Sequence, residues 1–236
     1  MALSRLPRPS VAIGRTGLAA MLSVLAALSL SARLMPERLE WIDERVADLV
    51  DSPRYVDVFR DVSRLGSTEL TVALAAVASL LVWNRCRPVA VLYPTAVVGG
   101  LIVNVALKVA VGRPRPPGAL TDTALGSFPS GHTIQAVIAL GMLPPAVFAL
   151  TGRRAATLIT TVIAAIGVIG VGVSRIVLAA HWPSDVVGGV LVGLLLLLAA
   201  ELALDGLPAR WVPACRDCPL HRAWGLASSP PHAKNS

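Results

Sequence analysis

Six stretches of this chain stay apolar for about as long as a helix needs to cross lipid. They run Thr16–Leu34, Ser67–Trp83, Val89–Val111, His132–Leu150, Ala155–Val177 and Val186–Leu204. A hydrocarbon core takes roughly 17–25 helical residues, and the second stretch meets that length least comfortably. A strand would leave backbone donors and acceptors unpaired in lipid, so all six are expected to be helices. The first stretch has an alternative reading as a signal sequence, because Arg5, Arg8 and Arg15 precede it. Its apolar run is long, and no clear small-x-small cleavage site ends it, which favours a retained helix.

Between the first and second stretches the period changes. In "PERLEWIDERVADLV", Leu39, Ile42, Val46, Leu49 and Val50 recur at helical spacing. Tyr55, Val58, Phe59, Val62 and Leu65 do the same in the segment that follows. These positions predict two short amphipathic helices lying at the membrane surface. Two roles fit them: a solvated cap over the bundle, or a lid that gates substrate. The expected fold is therefore all-α, a polytopic six-transmembrane-helix bundle with short amphipathic helices in the first outer loop. Residues 1–206 are expected to form one membrane domain, and 207–236 a disordered cytoplasmic tail.

Composition supports the membrane reading. Hydrophobic residues make up 55% and charged residues 15%, and the mean hydropathy is +0.69. A net charge of +7 would suit a nucleic-acid binder, but nearly every basic residue flanks an apolar run, which argues against a nucleic-acid partner. Arg5, Arg8 and Arg15 precede the first run, Arg85 and Arg87 follow the second, and Arg153 and Arg154 follow the fourth. Arg210, Arg216, Arg222 and Lys234 follow the sixth. These are alternate connections, so they share one side, which the positive-inside rule makes cytoplasmic with both termini inside. The connections Met35–Gly66, Gly112–Gly131 and Leu178–Asp185 then face outward. Three cysteines, Cys86, Cys215 and Cys218, do not make a disulfide framework. Cys215, Cys218 and His221 have zinc-ligand spacing but lack an evident fourth ligand.

The outward ends of the helices carry the chemistry. Lys108 lies near the end of the third run, followed by "GRPRPPG" with Arg113 and Arg115. "PSGH", Pro129–His132, opens the fourth. Ser174 and Arg175 end the fifth, and His181 and Asp185 precede and open the sixth. Ionisable groups at the edge of hydrocarbon are costly unless paired or hydrated, so a cluster of complementary ones suggests a site. Lys108, Arg115 and Arg175 supply cationic donors suited to phosphate oxygens. Ser130 is expected to cap the fourth helix, and Gly131 to let its backbone N–H groups approach an anion. Asp185 can orient the His181 imidazole and stabilise its cation. An anion cradle with a histidine on either side is what phosphoryl transfer needs. Arg113 fits none of these positions and reads as a headgroup or loop contact. Asn104 lies one helical turn before Lys108, as a support for it or as packing. Ser174 reads as a helix-end hydrogen bonder, and Trp182 and Pro183 as the turn into the sixth helix. Asp122 has no assigned role.

Lys108-x6-Arg115-Pro116, Pro129-Ser130-Gly131-His132 and Ser174-Arg175-x5-His181-x3-Asp185 together resemble the three-part signature of the type 2 phosphatidic acid phosphatases, the PAP2 superfamily. That superfamily also includes vanadium haloperoxidases and glucose-6-phosphatase. The blocks occur in order and without departure at the named residues. The resemblance implies that His181 attacks phosphorus to form a phosphohistidine, that Asp185 orients it, and that His132 protonates the leaving group. It implies phosphoryl binding by Lys108, Arg115, Ser130, Gly131 and Arg175, and no metal or other cofactor. The expected partners are the membrane and a lipid phosphate substrate. An outward-facing site suits a polyprenyl diphosphate, phosphatidic acid, phosphatidylglycerol phosphate or diacylglycerol pyrophosphate. Transfer of the phosphate to an alcohol, and lipid binding or translocation without turnover, are the competing functions. A haloperoxidase is disfavoured, because the members used for comparison are soluble.

Overall fold

The structure is a computed structural model that describes residues 9–50, 53–84, 87–118 and 125–205. Its elements in chain order are α1 (Pro9–Leu34), α2 (Pro36–Val50), α3 (Val56–Ser63), α4 (Thr68–Trp83), α5 (Arg87–Val111), α6 (Gly131–Gly141), α7 (Leu143–Thr151), α8 (Arg154–Val177) and α9 (Pro183–Asp205). Short 3-10 turns at Pro53–Tyr55 and Arg64–Gly66 flank α3. The Cys86, Asp122, Cys215, Cys218 and His221 positions and the predicted tail lie outside the described residues.

Among the described residues, five helical spans are long and apolar enough to cross a membrane. The second expected span is different. α4 has 16 residues, or about 24 Å at 1.5 Å per residue, short of a bilayer core. It reaches spanning length only together with the α3 segment, from which it is bent by 45°. The fourth expected span is broken at Met142, where α6 ends and α7 begins. Pro144 and Pro145 explain the break: a proline ring clashes with the carbonyl four residues back and offers no N–H, so it is tolerated only in a first helical turn.

α6 is the hub, packed against α5, α8 and α9. Every residue from Thr133 to Ala139 is buried, and the polar ones are hydrogen-bonded inside: Thr133 Oγ1 donates to Ser130 Oγ and Gln135 Nε2 to the Val97 carbonyl. α9 approaches α6 through Gly189 and Gly193. A Cβ on Gly193 would stand 2.6 Å from Val137 Cβ, and one on Gly189 would stand 2.8 Å from the Ser130 carbonyl oxygen. Small residues that let backbones approach are how helices associate in lipid, where burial from water gives no net drive. The outward faces are apolar, with Leu80, Ile102, Val109, Leu158, Ile163 and Ile169 exposed.

The segment between the first and second expected spans forms the two expected helices, α2 and α3. On α2 the stripe Ile42, Val46 and Leu49 is exposed, beside Trp41, whereas Asp43 is buried. The apolar face thus looks away from the protein, as a surface-lying helix requires, and the inner face carries a carboxylate.

Candidate active site

The three sequence blocks converge at one end of the bundle. α5 ends at Val111, and Gly112 takes the left-handed conformation (φ 65°) while its N–H bonds to the Lys108 carbonyl. This is a glycine C-cap, which reverses the chain at no Cβ cost. The reversal sends residues 113–115 back over the site. Lys108 does not snorkel outward. Its Nζ donates to the carbonyls of Gly126 (2.7 Å) and Ser127 (3.1 Å), and Ser127 N–H donates to the Arg113 carbonyl. The Lys108 block and the segment leading to "PSGH" are therefore stapled together.

Ser130 is the N-cap of α6, but its side chain does not cap the helix. Its Oγ instead accepts a hydrogen bond from Thr133 Oγ1 at 3.0 Å. Its N–H donates to the Asp185 carbonyl, which ties the second block to the third. Gly131 packs against Asn104: a Cβ there would stand 2.7 Å from Asn104 Nδ2 and push that side chain aside. Asn104 therefore meets the start of α6 as well as sitting one turn below Lys108. His132, half-buried, occupies the first turn of α6.

The third block turns tightly between α8 and α9. Ala179 adopts φ 49°, uncommon for a residue with a Cβ. The Arg175 carbonyl accepts from both Ala180 N–H and His181 N–H, so Arg175 and the candidate nucleophile share a backbone anchor. Ser174 Oγ donates to the Val171 carbonyl at 2.6 Å, as expected of a helix-end hydroxyl. Pro183 starts α9. Asp185 reaches back so that Trp182 N–H donates to its Oδ2 at 3.0 Å, the reciprocal half of a capping box. Arg115 Nη1 donates to the Ala180 carbonyl at 2.6 Å, and Arg175 Nη1 to Ser63 Oγ at 2.6 Å.

His181 Nδ1 lies 3.6 Å from Asp185 Oδ2, just beyond a direct hydrogen bond, and Asp185 is completely buried. With Nδ1 turned to the carboxylate, that nitrogen carries the proton and Nε2 keeps its lone pair. Burial pulls the His181 imidazole down to about 4, against the upward pull of Asp185; Lys108 and Arg175 lower it further. The ring is neutral, hence nucleophilic, at ordinary pH. Lys108, Arg115 and Arg175 lie close enough to feel one another's charge, an arrangement that an anion relieves. A cavity of about 560 Å³ opens beside them, lined by Lys108, Val109, Gly112, Arg115, Leu125 and Gly126 among others. It adjoins the cationic side of the cluster rather than the histidines.

All eight expected site residues lie in this one region, and the structure adds residues that the sequence did not assign. Arg113, read as a headgroup or loop contact, is only 1% exposed. Its Nη1 donates to Asp185 Oδ1 (2.9 Å) and Ser184 Oγ (2.7 Å), and its Nη2 to Asp43 Oδ2 (2.7 Å). Asp43 and Ser63 come from α2 and α3, the segment between the first and second expected spans. Gly66 of the same segment packs so close to His132 that a Cβ would stand 2.4 Å from the His132 carbonyl oxygen. α2 and α3 are thus a wall of the site, held to it by side-chain bonds and backbone packing. The one local signal was an acid, Asp43, on the inner side of an otherwise amphipathic helix.

A family profile described as the PAP2 superfamily matches residues 89–205. The chain is similar to phosphatidylglycerophosphatase B of Bacillus subtilis (strain 168), at 29% identity over 184 residues, covering 74% of this chain and 89% of the relative. It is also similar to the crystal structure of the first transmembrane PAP2 type phosphatidylglycerolphosphate phosphatase from Bacillus subtilis. That likeness has a TM-score of 0.70 at 21% identity and covers 81% of this chain and 97% of that one. At that identity it shows a common fold. Asp43, Ser63 and Gly66 all precede the matched family span.

Proposed function

The chain belongs to the PAP2 superfamily and is a multi-pass membrane lipid phosphatase, and from that premise we propose that it works through a phosphohistidine formed on His181. The observation that carries this reading is the His181–Asp185 pair, buried beside three cations. In the first step Nε2 of His181 attacks phosphorus in line with the leaving oxygen. The P–N bond forms, the P–O bond to the leaving group breaks, and His132 gives that oxygen a proton. Positive charge develops on the His181 ring, and Asp185 stabilises it. In the second step His132 takes a proton from water, whose oxygen attacks phosphorus. The P–N bond breaks, and inorganic phosphate leaves with His181 neutral again.

Lys108, Arg115 and Arg175, with Ser130 and the Gly131 backbone, neutralise the phosphoryl oxygens in both steps. Each cation is pre-positioned by bonds to protein oxygens, so little reorganisation accompanies the reaction. The distribution of arginines supports an outward-facing site with both termini cytoplasmic. The substrate class is a lipid phosphate or diphosphate. Phosphatidylglycerol phosphate comes first, from the name of the Bacillus relative, ahead of phosphatidic acid and polyprenyl diphosphate.

The test is phosphate release from these lipids in detergent, with and without an acceptor alcohol, paired with acid-quenched trapping of phosphoenzyme. Release without acceptor, with label on wild-type protein and none on His181→Ala, is expected. Turnover by His181→Ala, or phosphate appearing only on the alcohol, would overturn the hydrolytic phosphohistidine route.

A further inference from the structure

The function proposed above uses Asp185 but leaves unexplained what holds that carboxylate in a dry site. Asp185 Oδ2 accepts the Trp182 N–H at 3.0 Å and faces His181. Its Oδ1 is taken by Arg113 Nη1 at 2.9 Å. Arg113 in turn is held by Asp43, whose Oδ2 accepts from Arg113 Nη2 (2.7 Å) and from Ser184 Oγ (2.6 Å). Asp43 Oδ1 accepts the Ser184 N–H at 2.8 Å. Every oxygen of both carboxylates is engaged, and the Trp182 ring lies 5.4 Å from the guanidinium. A planar fork that binds two carboxylates on different nitrogens is arginine chemistry, which a lysine ammonium cannot copy.

We propose that Arg113 and Asp43 are positioning residues for the His181–Asp185 pair. Arg113 fixes the Asp185 carboxylate so that its second oxygen stays turned to the imidazole, and Asp43 fixes Arg113. This inference rests on His181 being the nucleophile. The charges explain why two acids are present. Asp43, Arg113 and Asp185 sum to one negative charge, which the phosphorylated imidazolium neutralises when it forms. Without Asp43 that surplus vanishes; without Arg113 two buried carboxylates are left uncompensated. Asp43 lies on α2, 70 residues before Arg113 in sequence and outside the matched family span, so this chain recruits its first outer segment to organise the dyad.

The groups that bear on His181 from the surrounding elements are Asp185 on α9, Lys108 on α5, Arg175 on α8 and His132 on α6. Arg115 also bonds the neighbouring Ala180 carbonyl. Against that fixed background the two network residues push the imidazole in opposite directions. Losing the Asp43 charge lowers its proton affinity, and losing the Arg113 charge raises it.

The experiment uses full-length protein in detergent, with Asp43→Asn, Arg113→Lys, Arg113→Gln and the double variant Asp43→Asn/Arg113→Gln. Turnover is measured as phosphate released from short-chain phosphatidic acid. The His181 titration is followed by NMR of carbon-13-labelled histidine, with its signal assigned by His181→Ala. Asp43→Asn and Arg113→Lys are expected to lose roughly ten- to hundredfold in kcat, with KM within about twofold of wild type. The His181 midpoint should fall in Asp43→Asn and rise in Arg113→Gln. If Arg113→Gln does not accumulate, the double variant removes both buried charges. It should be monodisperse with kcat still depressed. Wild-type kcat in Asp43→Asn and Arg113→Lys, or midpoints that stay put or move together, would overturn the proposal. Turnover by His181→Ala would instead remove the phosphohistidine reading beneath it.

Discussion

Gly189→Ala tests how finely the second and third blocks must be registered. The added methyl would stand 2.8 Å from the Ser130 carbonyl oxygen and 2.9 Å from Thr133 Cβ. The oxygen belongs to backbone and cannot rotate away. Ordinary contact needs about 0.5 Å more, so α9 must back off the first turn of α6 by about that much. That turn is bonded to Asp185 through the Ser130 N–H, so the displacement separates the His181–Asp185 pair from "PSGH". Misplacement by 1 Å costs about a hundredfold, so about 0.5 Å should cost roughly tenfold in kcat. Overpacking should also cost about 1–3 kcal/mol of stability.

The comparison is Gly193→Ala, one turn deeper on the same helix, where the methyl meets Val137 Cβ and Cγ1 at 2.6 and 2.7 Å. It should lose similar stability with much less loss of kcat, because it presses mid-helix and against a side chain. Gly99→Ala, with nothing within 4 Å, should be neutral or slightly stabilising through helix propensity. Thermal unfolding in detergent and kcat on a short-chain lipid phosphate, measured on all three, give the answer. The registration argument fails if Gly189→Ala keeps wild-type kcat, or if Gly193→Ala loses as much.

Four further outcomes are expected. His132→Ala should lose about 10²–10⁴-fold on a lipid phosphomonoester but far less on a nitrophenyl phosphate, whose leaving group needs little proton help; equal losses on both would remove the general acid role. Because the folded His181 sits at about 4, below the ordinary imidazole value near 6.5, its neutral form is favoured by folding. That contribution is complete above about 6.5 and is lost as pH falls toward 4, so phosphoenzyme formation on an activated ester should hold from pH 7 to about 5 and then drop. A drop centred near pH 6.5 that follows His181 would contradict this. Activity should survive EDTA and be inhibited by vanadate, because the charge comes from Lys108, Arg115 and Arg175; a strict need for added Mg²⁺ would refute the mechanism. In intact cells, cysteine placed at Gly118 should react with an impermeant thiol reagent and cysteine at Gly152 should not; the reverse pattern would put the site in the cytoplasm.

The apolar runs were legible because lipid imposes helices of fixed length, and the convergence of the three sequence blocks because each residue type stands at a helix end with complementary partners. The departures have local physical causes. Pro144 and Pro145 divide the fourth span at Met142 although its hydropathy never falters. α4 is 16 residues long, and its deficit is made up by a neighbouring helix that pattern alone assigned to the surface. Arg113 was misread because its meaning lies elsewhere in the chain. Within "GRPRPPG" it looks like one more interfacial cation, and only the approach of α2 and α9 shows that it is buried. On α2 the hydrophobic stripe drew attention to Ile42, Val46 and Leu49, which face outward, whereas the residue that matters to the site is the acid beside them.

The Asp43–Arg113–Asp185 triplet also sets an order of assembly. A polytopic chain enters the membrane from its N-terminus, so Asp43 arrives with the first hairpin, Arg113 with the third span and Asp185 last, 72 residues after Arg113. The first two members form a neutral pair that can be desolvated during biogenesis without leaving a bare charge. The last helix then completes the triplet and brings His181 into place in one event. A nascent chain that stalls before Pro183 therefore holds a closed ion pair, most of the cationic cradle and His181, but lacks the Asp185 carboxylate that faces the imidazole. Under the proposed mechanism the His181–Asp185 pair is complete only once α9 has been made and inserted.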